Sequence, residues 1–314
     1  MSNEHQAVML DEAVAGLNIQ PGGIYIDATY GRGGHARAIL VKLDAAGKLL
    51  VMDKDPQAIA DAQRLASSDS RVRVFAGSFK EITHFCEQQG VLGNVDGILF
   101  DLGVSSPQLD QAERGFSFMR EGELDMRMDP TSGVSVAQWL ATASATDIAH
   151  ILKTLGEERF SKRVAAAIVT AREQQAITTT TQLANIISNA IPVKEKHKHP
   201  ATRSFQALRI FINQELEDLT AAMQQVLQVL TAHGRLVVIS FHSLEDRIVK
   251  QFIAGHTKGD IFPHLLPIKH AQLQPKLRKI GKALKASDTE VKVNVRARSA
   301  VLRIAEKLAE AANA

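Results

Sequence analysis

One cysteine, Cys86, is all that the 314 residues contain. A single thiol excludes an intrachain disulfide framework and any cysteine-based zinc site, and it points to a reducing, cytoplasmic home. Long apolar runs are also missing. The stretch 236–240 falls far short of the roughly 20 residues needed to span a bilayer, so no membrane partner is expected. Met1-Ser2-Asn3-Glu4-His5 lacks the basic and apolar regions of a signal peptide. There is no internal repeat and no low-complexity tract. With 45% hydrophobic and 23% charged residues, a disordered or collagen-like chain is excluded. The length suits one large domain with an insertion, or two domains.

The formal net charge is only +3, but it is unevenly spread. Ten Lys/Arg face three Asp/Glu between Lys258 and Arg298, and five face one between Lys194 and Arg209. Clustered positive charge on a near-neutral chain is the footprint of a polyanion-binding surface, although a solvated basic loop has the same composition. His197 and His199 sit in the second cluster without accompanying carboxylates, so no metal is expected there or elsewhere.

The first hundred residues alternate short apolar runs with helical patterns, the mark of βαβ units and a parallel sheet. Strands are predicted at 24–28, 49–53, 72–75 and 96–101. Asp55-Pro56 supplies an N-cap and an N1 proline for a helix from Gln57 to Leu65. From about Glu113 to Asn213 strand signals disappear, and apolar residues recur at helical spacing, as in Ile148, Ile151, Leu152 and Leu155. Trp139 is expected in the core of this block. A long helix through Leu208–Leu230 follows, ended by His233-Gly234. Strands are then predicted at 235–240 and 299–304, with a capping box at Ser243-Leu244-Glu245-Asp246 and a basic, Gly/Pro-broken stretch between them. The expected organisation is a discontinuous domain, 1–112 with 214–314, carrying a helical insertion, 113–213.

The strongest local signal is Asp27-x-x-x-Gly31-x-Gly33-Gly34, where a strand ends and a helix begins. Glycines there let the backbone approach a ligand, and the helix start presents free N–H groups. Asp53 lies 20 residues beyond Gly33, placed to accept both ribose hydroxyls of an adenosine-bearing cofactor. The third glycine of a dehydrogenase fingerprint is absent, since position 36 is Ala36. An acid ending the first strand instead suits the cationic methionine moiety of S-adenosylmethionine. Phe79 could lie against adenine or pack in the core. Asp101 ends the fourth strand and leads into Ser105-Ser106-Pro107-Gln108, where amino-methyltransferases hold an exocyclic amine. Their usual Pro-Pro-Tyr/Phe is not matched here.

Several further motifs occur in order. They are Gly31-Arg32-Gly33-Gly34-His35, the run Asp101 to Asp110, Arg114-Gly115-Phe116-Ser117-Phe118, and Leu124-Asp125-Met126-Arg127-Met128-Asp129. Gly156-Glu157-Glu158-Arg159, His199-Pro200-Ala201-Thr202-Arg203, Ser240 to Asp246, and Arg296-Ala297-Arg298-Ser299 follow. Together they closely resemble the RsmH/MraW family of bacterial methyltransferases, which modify N4 of a cytidine in the decoding centre of 16S rRNA. The resemblance implies a class I S-adenosylmethionine-dependent methyltransferase fold, Rossmann-like and mostly parallel, with an inserted all-helical domain. It also implies the small ribosomal subunit or its 16S rRNA as partner, and is compatible with a homodimer.

By that resemblance Gly33, Gly34, His35, Asp53, Phe79, Asp101 and Gln108 contact the methyl donor. Asp101, with Ser106 and Pro107, would orient the target amine. Arg114, Phe116, Phe118, Arg127 and Asp129 lie in a Gly-broken segment that could close over the base, or could equally form an ordered loop held by Arg–Asp pairs. Lys276, Arg278 and Lys279 are candidate phosphate contacts. Two other functions fit the residues apart from the resemblance: an amino-methyltransferase acting on DNA or a protein amide, and a non-catalytic ribosome-binding factor.

Overall fold

In a computed structural model the chain is described over residues 7–193, 199–259 and 274–309. The part of the predicted basic turn that includes His197, and residues 260–273 of the C-terminal basic segment, lie outside the described residues. Two compact units form. One runs up to Gly103 and resumes at Leu216, and the other is Val104–Glu215.

The first unit is built on a seven-stranded sheet. Its first half contains α1 (Leu10–Leu17), β1 (Ile24–Asp27), α2 (Gly34–Lys42), β2 (Lys48–Asp53), α3 (Pro56–Ser68), β3 (Val72–Ala76), α4 (Ile82–Gln88) and β4 (Val95–Asp101). The predicted cap of α3 forms, with Asp55 Oδ1 accepting from Gln57 N–H at 2.9 Å. The second unit holds α5 (Ser106–Asp110), α6 (Val136–Thr142), α7 (Ala145–Gly156), α8 (Ser161–Gln174), α9 (Thr180–Ala190) and α10 (Thr202–Asn213). The first unit then resumes with α11 (Glu215–Val229), β5 (Leu230–Ser240), α12 (Ser243–Thr257), β6 (Leu277–Lys285), α13 (Asp288–Val293) and β7 (Val301–Lys307). Strand order is β3-β2-β1-β4-β5-β7-β6. Pairing is parallel from β3 to β5, and β7 runs antiparallel to both its neighbours. This is the Rossmann-like, mostly parallel sheet that the resemblance implies.

The central strands are apolar on both faces because helices cover both. Ile26, Leu50, Met52, Ile98, Phe100 and Val238 point to one side and pack with α4, α11 and α12. Tyr25, Leu49, Val51, Leu99, Val237 and Ile239 alternate to the other side, toward α1, α2 and α3. Cys86 is fully buried on α4, and burial pushes its thiol up to about 12. It is a packing residue. Among the described residues no helix is long and apolar enough to cross a membrane.

Four local expectations are corrected. The long helix is two, broken at Gln214, whose φ of 53° puts it in the left-handed region. Helix α11 ends at Val229 rather than at His233-Gly234, and β5 begins at Leu230. Residues 231–234 form an irregularity in that strand, since Val95 pairs with Leu230 and Gly97 with Arg235. Helix α12 is capped one residue earlier than read, by His242 with Glu245 at N3. The basic stretch contains a strand, β6, which forms the sheet edge.

The second unit packs around Leu140, Ile148, Leu152, Val164, Ile168, Leu183, Ile187 and Leu208. Trp139 lies against Phe211 with ring centroids 4.7 Å apart, at the margin of that core as anticipated. At Gly156 the α7 backbone runs so close to α10 that an added Cβ would sit 2.5 Å from Arg203 O. Gly156→Ala should therefore force the two helices apart and cost about 1–3 kcal/mol, read as a lowered urea midpoint. An unchanged midpoint would show that the contact yields freely.

Candidate active site

The parallel strands β3, β2, β1 and β4 bring their carboxyl ends to one edge, the usual position of the ligand crevice in such sheets. Asp27 ends β1, Asp53 ends β2 and Asp101 ends β4; Gly33, Gly34 and His35 follow β1, and Phe79 follows β3. The structure therefore gathers six of the sequence-predicted residues, with Asp27, along one edge.

The turn after β1 is a device of backbone geometry. Gly31 and Gly33 have φ of 54° and 69°, which favour glycine. A Cβ on Gly33 would meet the Tyr30 hydroxyl and Arg37 at 2.6 Å. Asp53 Oδ2 accepts from Gly31 N–H at 2.8 Å and Oδ1 from Asp55 N–H at 2.8 Å, so β2 holds the turn in place. From α3, Asp61 accepts from the Tyr30 hydroxyl at 2.7 Å and from Arg37 at 3.0 Å. Asp61 was not singled out in the sequence, where a helical acid reads as a solvated face.

Three carboxyls meet here, with Asp27 buried and Asp53 and Asp101 half-buried. Burial raises Asp27 to about 7, with the Asp53 charge adding to it, against N–H donation from Thr29 and Ala36. Burial raises Asp53 to about 6. Asp101 is held well above the ordinary carboxylate range by burial and by the charges of Asp27 and Glu245. Asp27 Oδ1 accepts from Thr29 N–H at 3.2 Å, and Asp101 N–H donates to the Thr29 hydroxyl at 2.6 Å. Asp27 Oδ2 and Asp101 Oδ1 are buried without a hydrogen-bond partner.

His35 is 4% exposed, not a solvent-facing residue of the helix start. Its Nε2 lies 3.2 Å from Val8 O and its Nδ1 3.6 Å from Asp101 Oδ2. Burial lowers it to about 4, so the ring is neutral at pH 7. Phe79 is half-buried and meets Phe100 edge-on, centroids 5.6 Å apart at 87°. Glu245, read from sequence as a capping residue only, both caps α12 and bears on Asp101; its Oε2 accepts from Phe241 N–H at 2.8 Å.

The predicted residues between Ser106 and Asp129 belong to the second unit. Ser106 and Pro107 form the first turn of α5, and buried Gln108 accepts from Ser105 N–H at 2.9 Å. Arg114 is buried, donates to Arg127 O and Met128 O at 3.2 and 3.0 Å, and lies over the buried Phe116 ring at 5.7 Å. Arg127 holds Asp125 through two parallel bonds of 2.8 and 2.7 Å. Asn213 clamps the same loop, donating to Met126 O and accepting from Met128 N–H, each at 2.7 Å. Phe118 stacks on His199 at 4.5 Å. In this structure Arg114, Phe116 and Arg127 are committed to the ordered loop weighed above.

Lys276, Arg278 and Lys279 are exposed, but they are not level with the acidic edge. Arg278 pairs across β7 Glu306 and β5 Arg235 with Gly97, four residues back from Asp101, or roughly 13 Å along the strand. Its guanidinium is bound to Glu306 at 2.6 Å. The far end of β6 is the one level with the site. Lys285 pairs with Val301, and Val301 with Ser240, one residue past the Asp101 partner Ile239.

A pH dependence follows from the raised Asp27. The folded chain holds this proton more tightly than the unfolded chain, so ionising Asp27 costs stability as pH rises from about 4 to about 7. Asp27→Asn removes that cost. The difference in unfolding free energy between the variant and the parent should grow in the variant's favour across this window, by at most about 1.4 kcal/mol per pH unit, and then level off. Urea titrations at several pH values measure it, and a pH-independent difference would contradict the burial.

Comparison with known proteins gives loose structural likenesses. A provisionally assigned rRNA methylase from Clostridium thermocellum is 11% identical, with 97% of this chain and 98% of that one covered at a TM-score of 0.45. An rRNA methylase from Streptococcus thermophilus is 11% identical, with coverages of 96% and 94% and a TM-score of 0.42. A provisionally assigned methyltransferase from Streptococcus mutans, solved with S-adenosylhomocysteine, is 13% identical, with coverages of 95% and 97% and a TM-score of 0.40. The sequence match is decisive: residues 2–308 fit the model of the MraW methylase family. The chain therefore belongs to that family, and is a methyltransferase with S-adenosylmethionine as its methyl donor.

Proposed function

We propose that this chain methylates N4 of a cytidine in the decoding centre of 16S rRNA, acting in the cytoplasm on the small ribosomal subunit. The observation that carries the reading is the pair of buried, unpartnered carboxyl oxygens, Asp27 Oδ2 and Asp101 Oδ1, at adjacent strand ends. An acidic, enclosed edge with orphaned acceptors suits a cationic ligand. The donor supplies an electrophilic methyl group on a positively charged sulfur. Asp27 would face its cationic end. Asp53 would accept the ribose hydroxyls on lone pairs that Gly31 and Asp55 leave over. Gly33 and Gly34 allow close backbone approach, His35 lines the pocket as a neutral ring, and Phe79 would lie against adenine.

The exocyclic amine of cytosine is a poor nucleophile whose lone pair must be aimed. Asp101 would accept its N–H groups and fix that direction. Transfer disperses the donor's charge, so a potent base is not obligatory. For the RNA, the basic end of the sheet edge is the favoured contact. Lys282 and Lys285 on β6, and Arg298 just before β7, are exposed on the side level with Asp101. Lys276, Arg278 and Lys279 would meet RNA only further from the target.

The direct test incubates the purified chain with labelled donor and either small subunits or free 16S rRNA, then digests the RNA to nucleosides. N4-methylcytidine is expected; label in another nucleoside or in protein overturns the reading. Asp53→Ala should lose about tenfold or more in calorimetric affinity for S-adenosylhomocysteine, the worth of a charge-assisted hydrogen bond, and unchanged affinity would remove Asp53 from the site. Asp101→Asn should lower single-turnover rates at saturating donor, and a rate equal to the parent's would end the proposed orienting role. Lys282→Ala with Lys285→Ala should flatten the salt dependence of subunit binding by ~1–2 units of slope. Arg278→Ala should change it less, and the reverse order would return the RNA contact to the start of β6.

A further inference from the structure

Outside the acidic edge, Asp218, on the first turn of α11, is a buried charge held by three side chains. Its side chain is 4% exposed. Oδ2 takes Lys54 Nζ at 2.9 Å and the Ser78 hydroxyl at 2.6 Å, and Oδ1 lies 3.3 Å from Lys80 Nζ. Lys54 directly follows Asp53, and Ser78 and Lys80 flank Phe79. One carboxylate thus grips the chain immediately beside both residues assigned to the adenosine half of the donor.

The grip is reinforced one turn pair along the same helix. Gln225 donates to Lys80 O at 2.6 Å and accepts from Thr83 N–H at 3.0 Å. Ser78 also accepts from Lys80 N–H at 3.3 Å, fixing the turn that sets the Phe79 ring. Two lysines on one buried carboxylate exceed what solubility or helix stability needs. A buried charge is kept when its partners must hold one geometry. The partners here come from the segments that directly follow β2 and β3.

We propose that Asp218 is a positioning residue for the adenosine end of the methyl donor, holding the Asp53 and Phe79 segments at a fixed separation. It touches no ligand itself. The proposal rests on the donor-site reading above and extends it to a residue on the helix by which the chain re-enters the first unit. Its consequence is selective: ligands carrying adenosine depend on Asp218 whatever they carry at sulfur.

The test uses the full chain and two probes, S-adenosylhomocysteine and 5′-methylthioadenosine, in calorimetric titrations. Asp218→Asn keeps the shape and removes the charge. Both affinities should fall by the same factor, about tenfold, and Asp218→Glu should restore part of the loss in each. A residue that only stabilised the fold would lower the melting temperature and leave both dissociation constants unchanged in the folded variant; that result overturns the proposal. So does a loss confined to S-adenosylhomocysteine. Should Asp218→Asn fail to fold, Lys54→Met and Lys80→Met each remove one arm, and parallel smaller losses for the two probes are expected, with no loss in either counting against it. If the parent chain binds neither probe, the donor-site reading itself fails, which the variants alone could not produce.

Discussion

Three carboxyl groups share the carboxyl-end edge of one parallel sheet, and the rest of the first unit is arranged around the cost of keeping them there. Asp27, Asp53 and Asp101 end neighbouring strands, so their separation is set by the sheet itself. Burial holds all three above the ordinary carboxylate range, and neighbouring charges add to it: Asp53 on Asp27, Asp55 on Asp53, and Asp27 with Glu245 on Asp101. A buried acid can be relieved by a paired cation or by backbone dipoles. Here backbone N–H groups of Gly31 and Asp55 serve Asp53, and those of Thr29 and Ala36 serve Asp27. Such dipoles are fixed and cannot be carried away, which suits a site intended for a positively charged ligand.

The helices covering the sheet supply a second layer of carboxylates with the opposite character. Asp61 on α3 and Asp218 on α11 are fully partnered, each by more than one donor, and each grips a loop rather than facing the edge. Asp61 braces the glycine turn through Tyr30 and Arg37, and Asp218 braces the segments beside Asp53 and Phe79. The contrast between Asp27 and Asp101, each with an orphaned oxygen, and the saturated acids behind them underlies the proposed division into binding groups and supports. It is a distinction that residue type alone does not make.

The second unit shows the same economy in its Arg114–Asp129 loop. Arginine, aromatic and acidic residues that could address RNA are tied to one another and to Asn213. An arginine bound bidentately to a carboxylate offers little to a phosphate. The exposed cations of the first unit, along β6, are the freer electrostatic surface, and their register on the sheet decides which of them can reach the target.

Sequence by itself determined the elements whose signal is local. The central strands are continuous apolar runs, the glycine turn needs positive φ, and Asp55-Pro56 caps a helix within its own four residues. The family was legible because its motifs recur in order from Gly31 to Ser299, and the place of Asp53 because the second apolar run ends on it. Tertiary structure alone decided what depends on partners far along the chain. β6 is a strand only because β7 lends it hydrogen bonds, since its Lys/Arg-rich composition gives no strand pattern of its own. The break at Gln214 and the cap at His242 turned on single backbone angles. His35 could be read as solvent-facing until Val8, 27 residues earlier, closed over it. Asp218 looked like any acid in the first turn of a helix, and 164 residues of chain separate it from Lys54. No periodicity encodes a contact of that span; only the packing of α11 against the ends of β2 and β3 brings the charges together.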